Sequence, residues 1–427
     1  MKVKIFPSIV KGSVFAPPSK SYTHRAIVIG SLGESCWIKY PLISADTKAT
    51  INACRAIGAS IVEKENMLEI KGVQGKPETP DNVIDAMNSG TTLRIMAAVC
   101  SLAKGASVLT GDDSLRRRPN TPLLIALQEL GAVAFSTKGD GTAPLVIKGR
   151  LKGGRVAIDG SISSQFITAL LIACPLAEEQ TQIEIKGKLI SKPYVEITLE
   201  LLEKADVNID IQNNFTKFGI PPNQSYKLKN YQIPGDFSSA SYMLAAGAIT
   251  NSRVEVKNLY PSKQGDVEIL EILKQMGSDI HWDRDAGIVR VAGIGGEVEI
   301  DVDANQFPDL VPTLAAIAAC TKGKTRIYNV EHARYKETDR LHTIATELKK
   351  MGAKIIEQRD GLIVKSSKLK GAEVTGYGDH RIVMALAIAA LAAEGPTIID
   401  TAECVDVSYP SFFEDLKKLG ARVEYLK

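Results

Sequence analysis

The chain repeats the same helix ending six times. Each ending follows an apolar helical stretch, and five of the six carry glycine at the central position. The central positions are Gly58, Gly131, Asp206, Gly277, Gly352 and Gly420, with successive gaps of 73, 75, 71, 75 and 68 residues. Glycine just beyond a helix adopts the left-handed conformation that closes the helix. The regular spacing therefore indicates six copies of one structural unit.

A polar cluster opens an apolar helix earlier in each copy. The clusters are Ser19-Lys20-Ser21, Asn88-Ser89-Gly90-Thr91-Thr92, Ser161-Ile162-Ser163-Ser164-Gln165, Asp236-Phe237-Ser238-Ser239, Asn305-Gln306-Phe307-Pro308-Asp309 and Gly378-Asp379-His380-Arg381. One such cluster by itself is an ordinary helix cap. Six at matched positions favour duplication of the unit, although duplication alone does not establish a function.

The second copy predicts the order of elements in a unit. Residues 91–104 form an apolar helical pattern, and residues 106–109 form a short strand. A second helix starts near Pro119, since proline suits the first turn of a helix. Residues 132–135 and 145–147 then form a hairpin. The predicted unit is β-α-β-α-β-β.

Such a unit cannot bury its apolar surface alone, so several must pack together. We expect an α/β fold (α+β repeats) of two domains, each an inside-out α/β barrel with pseudo-threefold symmetry. Each domain holds three βαβαββ units with helices buried and sheets outward. The predicted domains are residues 16–234 and residues 1–15 plus 235–427, with the active site in the cleft between them. Residues 2–5 are expected to pair with the second half of the chain.

The composition excludes several classes of protein. A chain of 427 residues is too long for one core. Its 52 basic and 49 acidic residues give a net charge of +3, which argues against nucleic-acid or membrane partners. The longest apolar stretches are too short to span a bilayer, and from residues 1–5 we expect no signal region. The six cysteines and five histidines are dispersed, so we expect reduced thiols, a cytoplasmic location and no metal.

The helix starts predict an anionic ligand. Each start leaves unpaired N–H groups and a partial positive charge, which suit phosphate or carboxylate. Basic side chains lie at these places: Lys20, Arg25, Arg94, Arg118, Lys336, Arg340 and Arg381. Lys336 and Arg340 are four residues apart and are predicted to share a helix face. Asp309 and Glu337 supply the carboxylates that acid–base chemistry needs.

Some of these residues also have a simpler interpretation. Arg116 and Arg117 fit a solvated basic surface as well as they fit a ligand site. For His24, Cys100 and Cys320, packing is the simpler interpretation.

At these residues the chain closely resembles the EPSP synthases, the family of 3-phosphoshikimate 1-carboxyvinyltransferases. The matching segments are Pro18-Ser19-Lys20-Ser21-Tyr22-Thr23-His24-Arg25-Ala26, Asn88-Ser89-Gly90-Thr91-Thr92-Leu93-Arg94, Arg118-Pro119, Ser163-Ser164-Gln165-Phe166, Ser191-Lys192-Pro193-Tyr194, Gly235-Asp236-Phe237-Ser238-Ser239-Ala240, Pro308-Asp309, Lys336-Glu337-Thr338-Asp339-Arg340 and Gly378-Asp379-His380-Arg381. They follow the order of the family over nearly the whole chain, and the last two segments are the specific ones.

The resemblance implies transfer of the enolpyruvyl group of phosphoenolpyruvate to the 5-hydroxyl of shikimate 3-phosphate, through a tetrahedral intermediate and with release of phosphate. This is a step of the shikimate pathway of aromatic amino acid and chorismate biosynthesis. The resemblance also implies domain closure on substrate and a reaction without metal or organic cofactor. Asp309 would take the 5-hydroxyl proton, and Glu337 with Lys20 would protonate the methylene carbon. We expect a monomer.

The same resemblance implies which residues bind each substrate. Shikimate 3-phosphate would contact Lys20, Ser21, Arg25, Ser163, Ser164, Gln165, Ser191, Tyr194, Asp309 and Lys336. Phosphoenolpyruvate would contact Lys20, Asn88, Gly90, Arg118, Gln165, Arg340 and Arg381. Gly90 leaves room beside phosphoenolpyruvate, so we expect glyphosate to compete with that substrate. Replacing Arg118 or Arg340 by alanine is expected to lower phosphoenolpyruvate affinity with little loss of folding.

Two positions depart from the family pattern. Val407 stands where many members carry a lysine that contacts phosphoenolpyruvate, so we expect reduced affinity for this substrate. His332 stands where an asparagine often contacts shikimate 3-phosphate.

The nearest alternative is the sister enzyme that transfers enolpyruvate to UDP-N-acetylglucosamine. That enzyme has Lys-Asn after its first strand and a catalytic-loop cysteine, whereas this chain has Lys20-Ser21 and no cysteine between Asp112 and Arg118. Two more distant classes are an RNA-end-processing enzyme and a non-catalytic repeat scaffold. The near-neutral charge disfavours the first of these, and the carboxylates among clustered cations disfavour the second.

Overall fold

The computed structural model describes residues 1–426, which divide into two compact units. The middle unit runs from Pro18 to Ile233. The terminal unit joins Met1–Pro17 to the chain from Pro234 onward. Each unit has its own hydrophobic core.

Both units consist of short helices and strands. The helices are α1 (Lys20–Leu32), α2 (Ala45–Ala56), α3 (Gly90–Cys100), α4 (Thr121–Glu129), α5 (Ser164–Ala173), α6 (Lys192–Lys204), α7 (Phe237–Ile249), α8 (Ile269–Gln275), α9 (Val311–Cys320), α10 (Arg340–Lys350), α11 (His380–Leu391) and α12 (Phe412–Lys418). The strands are β1 (Lys2–Ile5), β2 (Gly12–Phe15), β3 (Ser35–Lys39), β4 (Ser60–Lys64), β5 (Met67–Lys71), β6 (Ile84–Asp85), β7 (Ala106–Thr110), β8 (Val133–Ser136), β9 (Leu145–Lys148), β10 (Gly154–Asp159), β11 (Thr181–Lys186), β12 (Asp210–Gln212), β13 (Lys217–Ile220), β14 (Asn230–Gln232), β15 (Arg253–Lys257), β16 (Asp279–Asp283), β17 (Ile288–Ala292), β18 (Glu297–Asp303), β19 (Lys322–Tyr328), β20 (Lys354–Gln358), β21 (Gly361–Lys365), β22 (Glu373–Val374), β23 (Thr397–Ile399) and β24 (Val423–Leu426). Short 3-10 turns span Leu115–Arg117, Cys174–Leu176, Gly265–Glu268, Pro308–Leu310, Glu331–Tyr335 and Ala402–Val407.

The strands form four-stranded sheets, three in each unit. The orders are β14-β3-β5-β4, β6-β7-β9-β8 and β10-β11-β13-β12 in the middle unit, and β16-β17-β15-β2, β18-β19-β21-β20 and β22-β23-β1-β24 in the terminal unit. Each sheet has one parallel outer pair, such as β6 and β7, and two antiparallel pairs. A parallel pair requires a crossover, and α3 provides it between β6 and β7. The predicted β-α-β-α-β-β unit is confirmed.

The terminal strands complete the last sheet. β1 pairs antiparallel with both β23 and β24, with Val3 opposite Ile399 and Tyr425. The predicted pairing of residues 2–5 with the second half of the chain is therefore confirmed.

The six helix endings close as the spacing predicts. The five glycines at the central positions have φ values from 87° to 102°. Asp206, which replaces glycine in the third copy, has φ of 63°. This conformation suits glycine and is strained for most other residues, which explains why glycine recurs at this point.

In the β-α-β-α-β-β repeats, the first helix is the more deeply buried of the two. Every residue of α7 and α11 is buried, and the cap residues Asp236 and Asp379 accept hydrogen bonds from the backbone N–H groups of the first turn. Strands such as β3 alternate between buried and exposed residues, so one face of the sheet is open to water. Within each unit, helices are buried and sheets face outward, as predicted. No helix of residues 1–426 has the length and apolar character needed to cross a membrane.

One helix is shorter than its apolar pattern. α3 ends at Cys100, although the pattern predicts a helix up to residue 104. Leu102 and Ala103 lie in the turn that follows and are partly or fully buried. Their apolar character reflects burial rather than helicity.

Candidate functional site

Asp309 lies at the centre of a charged cluster in the terminal unit. Its carboxylate accepts hydrogen bonds from Arg340 Nη1 at 2.8 Å and from Arg381 Nη2 at 3.2 Å. Lys336 Nζ lies 3.5 Å from the same carboxylate. We call Asp309, Lys336, Glu337, Arg340, Asp379 and Arg381 the terminal cluster. The fold thus brings together all five residues of this unit that the resemblance assigns to a site.

Arg340 is bound by three carboxylates. Besides Asp309, it donates to Glu337 at 2.5 Å through Nη2 and to Asp379 at 2.8 Å through Nε. Burial alone would lower the pKa of Arg340, but the charges of Asp379, Glu337 and Asp309 outweigh burial and raise its pKa above the usual value. Arg340 therefore remains charged and holds three acidic side chains in one place.

Arg381 keeps hydrogen-bonding capacity for a ligand. Its side chain is buried, yet Nε and Nη1 have no hydrogen-bond partner among residues 1–426. Burial opposes its charge, whereas Asp309 above all other neighbours raises its pKa. A guanidinium held in this way suits a planar carboxylate or a phosphate.

The loop with Lys336 and Glu337 corrects one prediction. A 3-10 turn ends at Tyr335 and α10 starts at Arg340, so Lys336 does not share a helix face with Arg340. Asp339 caps α10 by accepting a hydrogen bond from the backbone N–H of His342 at 3.0 Å. Aspartate is favoured at this cap position, which explains why the helix starts there. Lys336 and Arg340 nevertheless meet, because both contact Asp309.

Gly90 opens α3 where three side chains of the middle unit converge. A Cβ atom at Gly90 would lie 3.4 Å from Arg118 Nη1 and from Gln165 Oε1, and 3.8 Å from Arg94 Nη1. Gln165 accepts a hydrogen bond from Arg94 at 2.7 Å and donates one to Thr91 at 3.0 Å. The starts of α3 and α5 therefore form one polar surface with Arg118.

Neutral oxygens hold Arg118. Its Nη2 donates to Asn88 Oδ1 at 3.0 Å and to Ser114 Oγ at 3.1 Å, and its Nη1 donates to the Asn88 carbonyl at 3.3 Å. Its buried Nε has no hydrogen-bond partner among the described residues. These neutral contacts position the guanidinium without neutralising its charge.

Arg25 has the same kind of surroundings. It donates to the hydroxyls of Thr198 and Thr168 at 2.8 and 3.3 Å, and to the carbonyls of Ser21 and Tyr194 at 2.8 and 3.1 Å. Burial lowers the pKa of Arg25 to about 10, and the charges of Tyr194 and Tyr22 offset part of this effect. Thr168 lies one turn beyond Ser164 in α5, so Arg25 faces the same helix that Arg94 contacts.

Besides Ser21 in the first turn of α1, three serines of the predicted site lie at helix starts of the middle unit. Ser163 caps α5 and accepts a hydrogen bond from Arg94 at 3.3 Å. Ser164 is the buried first residue of the same helix. Ser191 precedes α6 with φ of 50°, a left-handed conformation that is uncommon for serine.

Lys20 pairs with the buried carboxylate of Asp46 at 3.0 Å. Beside it, His24 Nδ1 lies 2.6 Å from the Thr50 hydroxyl, which lies 2.6 Å from the Thr92 hydroxyl. Burial first, and then the charges of Lys20 and Arg25, lower the pKa of His24 well below its usual value. His24 is therefore a buried neutral residue, in agreement with the packing interpretation.

We call the residues at the starts of α1, α3, α5 and α6, together with Arg118, the middle cluster. The middle cluster contains all the predicted site residues that belong to the middle unit: Lys20, Ser21, Arg25, Asn88, Gly90, Arg118, Ser163, Ser164, Gln165, Ser191 and Tyr194. Arg25 and Arg118 contact neutral oxygens in this cluster, which makes their surroundings suited to anions.

Sequence reasoning assigned neither a substrate contact nor a proton transfer to four charged residues in or next to the two clusters: Arg94, Asp46, Asp266 and Asp379. Arg94 and Asp379 lie at matched starts of first helices, so the repeat contained a signal for them. Asp46 lies in the first turn of α2 and Asp266 in the turn before α8. These are starts of second helices, where Arg118 and Lys336 also lie, so the same position in other units would have indicated them.

Asp266 is the most perturbed carboxyl group near the terminal cluster. Burial first, and then the charge of Asp309, raise the pKa of Asp266 to about 7, although Arg381 offsets part of this effect. Such a group changes its protonation state near neutral pH.

The two departures from the family pattern lie in 3-10 turns. His332 is buried in the turn Glu331–Tyr335, and Val407 is the half-buried last residue of Ala402–Val407. The reduced affinity expected from Val407 stays a prediction. Among residues 1–426, no group of histidine, cysteine, aspartate and glutamate side chains is arranged to hold a metal ion.

Comparison with known proteins agrees with this geometry. The family model of EPSP synthase (3-phosphoshikimate 1-carboxyvinyltransferase) matches residues 6–416. A 3-phosphoshikimate 1-carboxyvinyltransferase of Methanocella arvoryzae is 60% identical over 424 residues, covering 99% of this chain and 100% of the relative. The same enzyme of Methanosarcina acetivorans is 58% identical over 428 residues, covering 100% and 99%. An EPSP synthase structure from Acinetobacter baumannii has a TM-score of 0.82 at 29% identity, covering 99% of this chain and 100% of that one.

These matches confirm the predicted resemblance, the fold class and the class of enzyme. Both relatives are named 3-phosphoshikimate 1-carboxyvinyltransferase, which favours the predicted enzyme over the transferase that acts on UDP-N-acetylglucosamine. The chain therefore belongs to the EPSP synthase (3-phosphoshikimate 1-carboxyvinyltransferase) family.

Proposed function

We propose that this chain transfers the enolpyruvyl group of phosphoenolpyruvate to the 5-hydroxyl of shikimate 3-phosphate. The products are 5-enolpyruvylshikimate 3-phosphate and inorganic phosphate, within the shikimate pathway. The observation that carries the proposal is the terminal cluster, where Lys336, Arg340 and Arg381 meet at Asp309. A carboxylate surrounded by three cations provides both proton transfer and anion binding, as this reaction requires.

The middle cluster is proposed to bind the anionic groups of both substrates. Lys20, Ser21, Arg25, Ser163, Ser164, Gln165, Ser191 and Tyr194, with Asp309 and Lys336 of the terminal cluster, bind shikimate 3-phosphate. Lys20, Asn88, Gly90, Arg118 and Gln165, with Arg340 and Arg381, bind phosphoenolpyruvate. Support comes from the neutral contacts of Arg25 and Arg118, which leave their positive charges available to a ligand.

The addition step moves two protons. Asp309 takes the proton of the 5-hydroxyl while the oxygen of that hydroxyl bonds to C2 of phosphoenolpyruvate. Glu337, with Lys20, delivers a proton to the methylene carbon C3. The clustered cations stabilise the charge on the tetrahedral intermediate. In the elimination step the C2–O bond to phosphate breaks, C3 loses a proton and the double bond returns.

Substrate binding also has to reorganise the contacts of Arg340. Arg340 donates to Asp309 and Glu337, the two carboxylates assigned to the proton transfers. The carboxylate of phosphoenolpyruvate is a competing acceptor of the same kind. We propose that this competition frees Asp309 and Glu337 for proton transfer only when the substrate is bound.

A phosphate-release assay tests the proposal. Purified protein is incubated with phosphoenolpyruvate and either shikimate 3-phosphate or UDP-N-acetylglucosamine. We expect phosphate only with the shikimate ester. Release with the UDP-sugar instead would establish the alternative transferase, and release with neither acceptor would contradict an enolpyruvyl transferase.

A matched pair of variants tests the role of Asp309. Asp309→Asn should lower turnover by about 10²–10⁴-fold, the usual contribution of a general acid or base. The control is Asp301→Asn, since Asp301 is an exposed residue 3.7 Å from Arg326 and lies outside the cluster. Equal activity of the two variants would remove Asp309 from the mechanism.

Three further expectations belong to the same proposal: a monomer, a cytoplasmic location and a reaction without metal or organic cofactor. Light scattering after size-exclusion chromatography tests the first. Full activity after exhaustive dialysis against a chelator tests the last. Competition of glyphosate with phosphoenolpyruvate, followed as an increase in the apparent KM, tests the space beside Gly90.

A further inference from the structure

We propose that Arg334 is a positioning residue for the loop that carries Lys336 and Glu337. Its guanidinium fastens the end of this loop to the hairpin formed by β20 and β21. The inference rests on the proposed function, because that function assigns roles to Lys336 and Glu337. We call residues 335–339 the site loop.

Arg334 lies just before the site loop and contacts both the loop and the hairpin. Its Nη1 donates to Asp339 at 2.7 Å, at the far end of the loop. The same nitrogen donates to Glu357 of β20 at 2.8 Å. Nη2 and Nε donate to the carbonyls of Gln358 and Arg359 at 2.6 and 2.9 Å. All three guanidinium nitrogens are therefore engaged.

These contacts close the two ends of the loop on each other. The chain leaves the 3-10 turn at Tyr335 and enters α10 at Arg340, and Asp339 both caps that helix and binds Arg334. Between the two ends, Lys336 contacts Asp309 and Glu337 contacts Arg340. With both ends fixed, the side chains between them have fewer accessible positions.

The ion pairs of Arg334 are largely shielded from solvent. Side-chain exposure of Arg334 is 19%, and Glu357 is exposed by 26%. Asp339 and Glu357 together overcome the effect of burial and raise the pKa of Arg334, while Arg334 lowers the pKa of Glu357 against burial. A planar guanidinium that uses several N–H groups in a fixed fork orients its partners better than a single ammonium group can. Lysine should therefore replace Arg334 only in part.

The functional consequence follows from the distances that proton transfer tolerates. A displacement of about 1 Å at a reacting group can reduce turnover by about 10²-fold. Releasing the site loop should displace Glu337 and Lys336. Arg118 and Lys20 belong to the other unit, and Arg340 and Arg381 keep their contacts with Asp309, which lies outside the loop. Loss of Arg334 should therefore lower turnover and weaken the binding of shikimate 3-phosphate, and affect phosphoenolpyruvate much less.

The test compares Arg334→Met and Arg334→Lys with Arg359→Met. Arg359 lies in the turn between β20 and β21; its side chain is 87% exposed and pairs with Glu331 through Nε at 3.1 Å, while its backbone carbonyl is the atom that contacts Arg334. For Arg334→Met we expect kcat to fall by about 10–100-fold, with a higher KM for shikimate 3-phosphate and a nearly unchanged KM for phosphoenolpyruvate. The kcat of Arg334→Lys should lie between that of Arg334→Met and that of the wild type. Arg359→Met should have the kcat and KM values of the wild type. A preparation that is only partly folded would lower kcat without changing either KM.

A second readout does not depend on activity. Hydrogen exchange followed by mass spectrometry should show faster exchange in the site loop of Arg334→Met, but not of Arg359→Met. If Arg334→Met does not fold, Asp339→Asn replaces it, because asparagine keeps the helix cap and removes the ion pair. Unchanged exchange and unchanged kinetic constants in the variant that folds would overturn the inference. Absence of phosphate release by the wild-type protein would instead overturn the proposed function. Faster exchange of the site loop in Arg334→Met would still support the role of Arg334 in holding that loop.

Discussion

Arg25 of the middle unit and Arg340 of the terminal unit are both almost completely buried, but their surroundings differ. Arg25 of the middle unit is 2% exposed and donates to two threonine hydroxyls and two carbonyls. Arg340 of the terminal unit is 1% exposed and donates to three carboxylates. The same duplicated unit thus supports two kinds of charged site. One keeps its positive charge for a ligand, and the other balances that charge with acidic groups.

The difference separates binding from proton transfer. A buried cation among neutral oxygens lacks the compensation that a carboxylate provides, and an anionic ligand can provide that compensation. A buried cation among carboxylates is already compensated, and its acidic partners are groups that accept or donate protons. We therefore expect changes in the middle cluster to act mainly on affinity, and changes in the terminal cluster mainly on turnover and stability.

The largest effect is expected for Glu337→Gln in the terminal cluster. Glutamine keeps the shape but cannot deliver the proton, so kcat should fall by about 10²–10⁴-fold. The KM for phosphoenolpyruvate should change much less. Steady-state phosphate release gives both constants. The control is Glu331→Gln. Glu331 lies in the 3-10 turn that precedes Glu337, is 40% exposed and pairs with Arg359. A change in KM with normal kcat would contradict the assignment of turnover to this cluster.

The sharpest comparison of the two units is Arg340→Met against Arg25→Met. Removing Arg340 leaves the buried Asp379 and the half-buried Asp309 and Glu337 without their shared cation and should lower the free energy of unfolding by about 3–5 kcal/mol. Removing Arg25 leaves only neutral groups and should cost much less. Urea denaturation of the ligand-free variants measures both values. Equal losses would show that the two environments do not differ in energy.

This expectation changes one prediction made from sequence. The resemblance suggested that loss of Arg340 would leave folding nearly intact. Its burial among Asp309, Glu337 and Asp379 makes it a structural residue as well as a candidate ligand contact.

A smaller effect is expected for Arg118→Ala in the middle cluster. Charged hydrogen bonds contribute about 1.5–3 kcal/mol, so the KM for phosphoenolpyruvate should rise by about 10–100-fold. Folding should change little, because the partners left behind are neutral. Arg117→Ala is the matched control, since Arg117 is the exposed neighbour in sequence. Similar KM values for the two variants would argue against the proposed contact.

The most gradual effect, at most about 1.4 kcal/mol per pH unit for one group, is expected in the pH dependence of stability. Asp266 has a raised pKa of about 7 in the folded protein, so it binds more protons there than in the unfolded chain. Its contribution therefore declines as the pH rises from about 4 to about 7. Asp266→Asn should remove this decline.

His24 should act in the opposite direction in the middle unit. Its pKa is lowered in the folded protein, so its contribution is present above about pH 6.5 and declines as the pH falls below that value. His24→Asn should remove this acid-side decline, while Asp266→Asn should leave it in place. Denaturation midpoints between about pH 5 and pH 8 measure both slopes, and slopes of the same sign would contradict the comparison.

Much of the fold follows from local sequence. Glycine at five of the six helix endings predicted the left-handed closures, and the hairpin and helix patterns of one copy predicted the order of elements in the repeated unit. These features depend on residues near one another in the chain, so a single sequence contains them. The end of α3 was missed because Leu102 and Ala103 are apolar for burial, which looks the same as helical periodicity.

The candidate site was predictable only in part, because its geometry joins distant segments. Matched helix starts indicated Lys20, Gly90 and Arg381. They did not indicate which carboxylates Lys20 and Arg381 contact. Asp266 was not predicted, since its perturbation comes from burial and from Asp309. The helix expected from Lys336 to Arg340 was wrong, because Asp339 caps α10 and binds Arg334.

The amino-acid sequence by itself determined the six-fold repeat, the order of elements in each copy, the family and the identity of the charged residues. The tertiary structure decided how these charges are combined. Arg381 meets Asp309 across 72 positions of the chain, and Arg340 meets Asp379 across 39. Helix caps and turns act over a few residues and can be read locally. The energy of a buried charge depends on which distant groups packing places beside it, and only the folded chain specifies those groups.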